Sequence, residues 1–162
     1  MSALHDPRPY MDKAVPEAWE AASMLATAVS ESASRRGLTP AESELIKVRA
    51  SQLNGCVFCL DLHSRQARRA GLNQQLLDIL PAWRESTLLS DRERALLAIA
   101  EAVTKLPLRT SANLELTHAR STLTDETFAA AEWVAAAINI FNRISILSEH
   151  RVQPRGADGK LN

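Results

Sequence analysis

Thr39-Pro40-Ala41-Glu42 opens a stretch that Asn54-Gly55 closes, and Cys56-Val57-Phe58-Cys59-Leu60-Asp61-Leu62-His63 begins the next. The first piece carries its own start and stop. Thr39 suits an N-cap, Pro40 the first helical position and Glu42 the return bond of a capping box. Leu45, Ile46, Val48 and Leu53 follow at helical spacing, and an Asn-Gly pair is a common helix end. The second piece runs from about Cys56 to Gly71, with Arg65, Arg68 and Arg69 on its solvent side. Helices joined by so short a turn pack as an antiparallel hairpin, and an all-α reading starts here.

Upstream, a helix is predicted from Pro16 to the Arg35-Arg36-Gly37 stop, behind an extended arm over residues 1–15 that contains Pro7 and Pro9. Downstream, Asn73 caps a short element that Pro81 ends. Ser90-Asp91-Arg92-Glu93 forms a second capping box, starting a helix with Leu96, Ile99, Ala100 and Val103 at core spacing, and Pro107 ends it. A shorter helix covers residues 110–121, and the last runs from the Thr124 cap to about His150. It carries Trp133, Ala137, Ile140, Ile144 and Leu147 on one face and Val134, Ile138 and Phe141 on another. A helix apolar on two faces is central to the fold or shared with another subunit.

No alternating β-branched or aromatic run is present. The reading is therefore an all-α domain of about six to seven helices over residues 1–150, followed by a polar, frayed tail over residues 151–162. The arm has no core of its own and is expected to cross onto a neighbouring subunit.

The composition excludes several functions. At 162 residues, 46% hydrophobic and 23% charged, the chain has the proportions of a globular protein, not of a disordered one. Lys+Arg and Asp+Glu are 19 each, so no basic excess exists to neutralise a row of phosphates, and nucleic acid is not expected as a partner. The apolar stretch from Phe128 to Phe141 is broken by Glu132 and Asn139 and is too short for a bilayer, so no membrane partner is expected either. Residues 1–18 carry His5, Asp6, Arg8, Asp12, Lys13 and Glu17 and no apolar secretory segment. The expected setting is a reducing cytoplasm, where a close cysteine pair points to redox or metal chemistry.

Cys56 and Cys59 are one helical turn apart, and His63 lies one turn beyond Cys59, so all three share a stripe. A helix start behind Gly55 favours a thiolate at Cys56 through the helix dipole, whereas the spacing to His63 favours one at Cys59. Glu44, on the preceding helix, is about as far from the turn as His63. A carboxylate facing that imidazole would fix its tautomer and raise its basicity. Zinc is the main competitor, but three ligands leave a tetrahedral site open, and His5, His118 and His150 are isolated in sequence. Asp61 is expected to point away from the stripe into solvent, His118 to lie on the surface, and Trp19, Trp83 and Trp133 to be packing residues. Asn142-Arg143 suits either a substrate contact or a helix-end structural contact.

Glu44, eleven residues, Cys-x-x-Cys, three residues and His63 resemble the active-site motif of the AhpD-like alkylhydroperoxidases, within the carboxymuconolactone decarboxylase superfamily. The flanking Ile46-Lys47-Val48-Arg49-Ala50-Ser51-Gln52-Leu53-Asn54-Gly55, Ala67-Arg68-Arg69-Ala70-Gly71, Ala82-Trp83-Arg84, Asp91-Arg92-Glu93-Arg94-Ala95-Leu96-Leu97 and Asn139-Ile140-Phe141-Asn142-Arg143 are similar too. The resemblance spans roughly residues 10–150. Phe58 stands where some members have a histidine.

The resemblance implies an all-helical subunit in trimers or hexamers and a dithiol/disulfide cycle without a bound cofactor or metal. In that cycle Glu44 and His63 relay protons, Cys59 attacks a hydroperoxide, Cys56 resolves the sulfenic acid, and an external dithiol donor, protein or small thiol, restores the pair. The same residues would serve a protein-disulfide reductase or adaptor for a partner peroxidase, or a non-enzymatic redox sensor.

Overall fold

The computed structural model describes residues 7–161. Its helices are α1 (Met11–Ala14), α2 (Pro16–Arg35), α3 (Pro40–Asn54), α4 (Val57–Arg69), α5 (Gln74–Ile79), α6 (Asp91–Thr104), α7 (Thr110–Thr122) and α8 (Asp125–Leu147), with a 3₁₀ turn over Leu80–Glu85. No strand occurs among the described residues, and the all-α expectation holds. Both capping boxes form: Thr39 with Glu42, and Ser90 with Glu93.

α3 is the hub, packed against α4, α6 and α8. Leu45 and Ile46 are adjacent in sequence and fully buried, because they face opposite halves of the core. Ile46 joins Leu96, Ile99, Val134 and Ala135 between α3, α6 and α8. Leu45 joins Val48, Ala67, Leu80, Trp83 and Leu97 towards α4 and the 3₁₀ turn. Each such aliphatic side chain contributes about 2 kcal/mol by leaving water.

Four sequence expectations need correction. The arm is not wholly extended: α1 forms, and Arg8, Met11 and Asp12 hold the end of this chain's own α8, through Glu149, Ser148 and His150. Residues 1–6, His5 included, lie outside the described residues. The tail is not simply frayed, since Arg155 bridges back to Leu161 and reaches Asp61 at 3.7 Å. Asp61 accordingly is half-buried, paired with Arg65 and Arg155. Trp83 in the core and Trp19 edge-on against Phe141 are packing residues as expected, whereas Trp133 is 56% exposed.

That exposure belongs to a pattern. On α8 the Val134 and Ile138 face is buried, while Trp133, Ile140 and Leu147 are exposed. Among the described residues the second apolar face is thus covered in part, at Ala137, and open at Trp133, Ile140 and Leu147. Among the described residues no helix is long and apolar enough to cross a membrane.

A buried charge ties α3 to α6. Glu101 Oε1 accepts from Arg49 Nε and Nη2 at 2.9 and 2.7 Å and from the Trp83 indole N–H at 2.8 Å. Its other oxygen accepts from Arg84 at 3.1 Å and Lys105 at 3.3 Å. Burial alone would raise the carboxyl's pKa, but the Trp83 and Arg49 hydrogen bonds outweigh it and hold it down to about 2.

Because that folded value lies below the ordinary 4.5, Glu101 stabilises the fold above pH 4.5, and the contribution fades as pH falls towards 2. Glu101→Gln leaves Arg49 buried without its counter-charge and should cost about 3 kcal/mol at neutral pH. Urea unfolding of the two proteins from pH 7 down to 3 checks this: the difference should shrink with acidification, and a constant difference would remove the charge from the explanation.

Candidate active site

Gly55 creates the site's geometry. It ends α3 at φ 68°, a left-handed conformation that disfavours a side chain, although nothing lies within 4 Å of where a Cβ would stand. The chain therefore reverses at once, and Cys56 becomes the N-cap of α4. Its sulfur accepts the Cys59 backbone N–H at 3.3 Å. Both cysteines are free thiols and nearly inaccessible, at 1% and 3% exposure.

The hairpin brings Glu44 to His63. Glu44 Oε2 lies 2.8 Å from His63 Nδ1, and Oε1 accepts from Lys47 Nζ at 2.8 Å. Burial pushes the Glu44 carboxyl up, but the His63 hydrogen bond and the Lys47 charge leave it below its ordinary value. An ionised carboxylate accepts only, so Nδ1 carries a proton towards Glu44 and Nε2 is the nitrogen free to exchange one. A small cavity, about 60 Å³, reaches His63 between Ser43, Lys47, Val134 and Ile138.

The two sulfurs are not equivalent. Cys59 is held well below the ordinary thiol range, first by the hydrogen bond from Cys56, then by Ser145 and Asn142 and by the charge of His63, against a burial effect that opposes them. Cys56 is driven up by the same shared hydrogen bond and by burial, and the Cys59 backbone N–H only partly offsets this. The helix start thus does not make Cys56 the thiolate. The pair shares one proton, and the groups facing Cys59 place the negative charge there.

Two of those groups, Asn142 and Ser145, come from α8, and Ser145 was missed in the sequence. Asn142 is fully buried; its Oδ1 accepts from Asn54 Nδ2 at 2.8 Å and its Nδ2 donates to Ser51 Oγ at 3.1 Å. Asn54 also donates to Asn139 Oδ1 at 2.9 Å, and Asn139 donates to Thr104 Oγ1 at 2.9 Å. Asn142 is therefore both a helix-end contact and a neighbour of the reactive sulfur. Arg143 bonds back to Asn139. Ser145 carried no signal beyond a polar residue interrupting an apolar helix. His118 is exposed on α7. Among the described residues no group of three or more His, Cys, Asp or Glu side chains is arranged to hold a metal ion.

The chain has recognisable relatives. The model of the carboxymuconolactone decarboxylase family matches residues 14–102. The uncharacterised protein YdfG of Bacillus subtilis is 38% identical over 109 residues, which is 67% of this chain and 74% of that one. The uncharacterised protein YnjA of Escherichia coli is 39% identical over 74 residues, 45% of this chain and 40% of that one. The crystal structure of an Agrobacterium tumefaciens protein of unknown function, provisionally assigned to antioxidant defence as an AhpD, superposes with a TM-score of 0.83. It is 35% identical, and the match covers 93% of this chain and all of that one.

The proton sharing is directly measurable. Thiolate absorbance at 240 nm, followed as pH falls, should report one thiol that keeps its charge below the ordinary cysteine range and a second that ionises only above it. Cys59→Ser should abolish the low transition, and Cys56→Ser should move it upward by removing the leading hydrogen bond. Two transitions at ordinary values would refute the asymmetry.

Proposed function

Because the chain belongs to the carboxymuconolactone decarboxylase family, we propose that it is a thiol-dependent alkylhydroperoxidase working through a Cys56/Cys59 dithiol–disulfide cycle. The observation that supports this reading is the hairpin geometry that sets Glu44 2.8 Å from His63 Nδ1, one turn from a free Cys56/Cys59 pair, with Cys59 favoured as the charged sulfur. A thiolate is the nucleophile for peroxide, and a neutral thiol one turn away is the resolving group such a cycle needs.

Cys59 Sγ attacks the distal oxygen of the hydroperoxide, the O–O bond breaks, and the departing alkoxide takes a proton relayed through His63 and Glu44. Cys56 Sγ then attacks the sulfenic acid, forming the disulfide and releasing water. An external dithiol donor, either a protein or a small thiol, reduces the disulfide and closes the cycle. The residues act without a bound cofactor.

The near-complete burial of both sulfurs and the small cavity beside His63 favour hydrogen peroxide or a small organic hydroperoxide over the disulfide of a folded partner. A dithiol resting state suits a reducing cytoplasm. The exposed apolar face of α8 favours assembly into a trimer or hexamer, with Trp133 and Leu147 covered by another copy.

Cumene hydroperoxide consumption in excess dithiothreitol tests the activity. Wild type should turn over, Cys59→Ser should not, and Cys56→Ser should show a single oxidation event. Glu44→Gln should lower kcat/KM by about a hundredfold, since it unsettles the base without removing the thiolate's other partners. A wild type that forms the disulfide yet consumes peroxide no faster than buffer would end the peroxidase reading and favour a reductase or a sensor. Sedimentation of Trp133→Asp should reveal a smaller particle than wild type; equal sizes would clear this face of any part in assembly.

A further inference from the structure

A second histidine approaches the cysteine pair from the far end of α8. His150 Nδ1 lies 3.3 Å from Ser145 Oγ, and Nε2 lies 3.3 Å from Asp12 Oδ1. Ser145 is itself 8% exposed and sits one turn along α8 from Phe141, whose carbonyl lies 3.8 Å from Cys59 Sγ, and its hydroxyl favours the charged form of both cysteines. A continuous polar path therefore runs from a carboxylate through an imidazole and a hydroxyl to the sulfurs. It shares no residue with Glu44 and His63 except the cysteines it serves.

The surroundings hold that imidazole in one place. Glu149 takes a left-handed φ of 53°, turning the chain so that His150 N–H bonds to Ser145 O at 3.0 Å. Such a conformation is uncommon in a residue other than glycine and survives where neighbours enforce it. The neighbours are present: Arg8 pairs with Glu149 at 2.9 Å, and Met11 N–H donates to Ser148 Oγ at 3.0 Å. Tyr10 and Phe58 pack edge-on against the imidazole, with ring centroids 5.1 and 5.4 Å away. The charged or titratable groups around His150 are Asp12 from α1, Tyr10 with Lys13 over its ring, the Arg8–Glu149 pair, and the two thiols of α4 beyond Ser145.

The dithiol cycle proposed above has two proton demands, and one pair of residues answers only the first. His63 and Glu44 deal with the oxygen leaving from Cys59. Cys56 enters the second step as a neutral thiol and must lose its proton as its sulfur attacks. We propose that Asp12, His150 and Ser145 form a second proton path that deprotonates Cys56 during disulfide closure.

In that step Ser145 Oγ takes the Cys56 proton and passes its own to His150 Nδ1, while Asp12 holds the Nε2–H tautomer. The S–S bond forms as the S–O bond of the Cys59 sulfenic acid breaks. The Cys56 sulfur is oxidised and the Cys59 sulfur reduced, and the oxygen leaves as water with a proton from the His63 side. The proton gained by His150 balances the one given up by His63. Ser145 touches the reacting sulfurs; His150 and Asp12 act through it.

Oxidised glutathione tests this step without peroxide. With the reduced full-length protein, Cys59 attacks first and releases one glutathione. Cys56 then attacks the mixed disulfide and releases a second, handing its proton to the same path. Stopped-flow measurement of both releases between pH 5.5 and 8.5 should show closure in wild type that rises through a histidine-like transition.

His150→Gln should slow closure about tenfold or more relative to the preceding attack, and should replace the transition by a steady rise with hydroxide. Asp12→Asn lies outside α8 and keeps the Arg8–Glu149 and Met11–Ser148 contacts that also hold the helix end. It should shift the same step in the same direction, and Asp12→Glu should restore it. Wild-type closure rates and pH profiles in both His150→Gln and Asp12→Asn would overturn the proposal. If wild type consumes no peroxide yet closes its disulfide at a His150-dependent rate, the peroxidase reading falls and the second path stands.

Discussion

The buried contact between Asn54 and Asn142 is the constraint on which the rest of the site depends. Asn54 is the last residue of α3 and Asn142 lies deep in α8, so the amide pair pins the end of the hub helix to the central one. Gly55 follows at once and turns the chain, which places Cys56 at the head of α4 with no freedom to drift. A buried amide without partners would cost about 1–3 kcal/mol. Ser51, Asn139 and Thr104 complete the set, so helices α3, α6 and α8 are locked in one register around the sulfurs. The polar groups that fix the fold here are the same groups that tune the thiol.

A second buried cluster does comparable work at a distance. Arg49, Trp83 and Glu101 tie α3 to α6 and to the 3₁₀ turn, while Arg84 lies over the Trp83 ring at 4.3 Å and reaches out to Glu115 on α7. Buried ion pairs are weak evidence for net stability, because desolvation opposes the attraction. Their value lies in what they forbid. A helix shifted by one turn would strand a charge in the core, so α3 has one acceptable position against α6.

Much of this was legible in the sequence because it is local. The Thr39 and Ser90 capping boxes, the Asn54-Gly55 stop and the Cys56, Cys59 and His63 stripe follow from helix geometry over a few residues. Glu44 was legible only because a tight hairpin makes positions equidistant from its turn into neighbours. Ser145 and His150 were not legible, since they approach the cysteines from α8 and the turn that follows it, some ninety residues along the chain, and no periodicity reports a contact between helices. The helix dipole alone pointed to Cys56 because it saw only the start of α4, whereas the spacing to His63 pointed to Cys59, the thiol that Cys56, Ser145, Asn142 and His63 together favour as the charged one. The short α1 escaped because four residues behind two prolines carry little helix signal, and docking on Ser148 and His150 supplies what propensity lacks.

Cys56 has a structural duty beside its chemical one: its sulfur caps α4 by accepting the Cys59 N–H. An ordinary cap of serine or threonine is indifferent to electrons, but in the dithiol–disulfide cycle proposed above this one is an electrode. Forming a bond between Cys56 and Cys59 changes the charge, direction and lone pairs of the atom that holds the first turn. The free energy of winding that turn therefore enters the reduction potential of the pair, and the potential in turn sets how firmly the turn is wound. In that cycle the redox couple and the helix start are a single thermodynamic object, so a substitution that touches no sulfur but loosens residues 57–60 would also change how readily the protein holds its electrons.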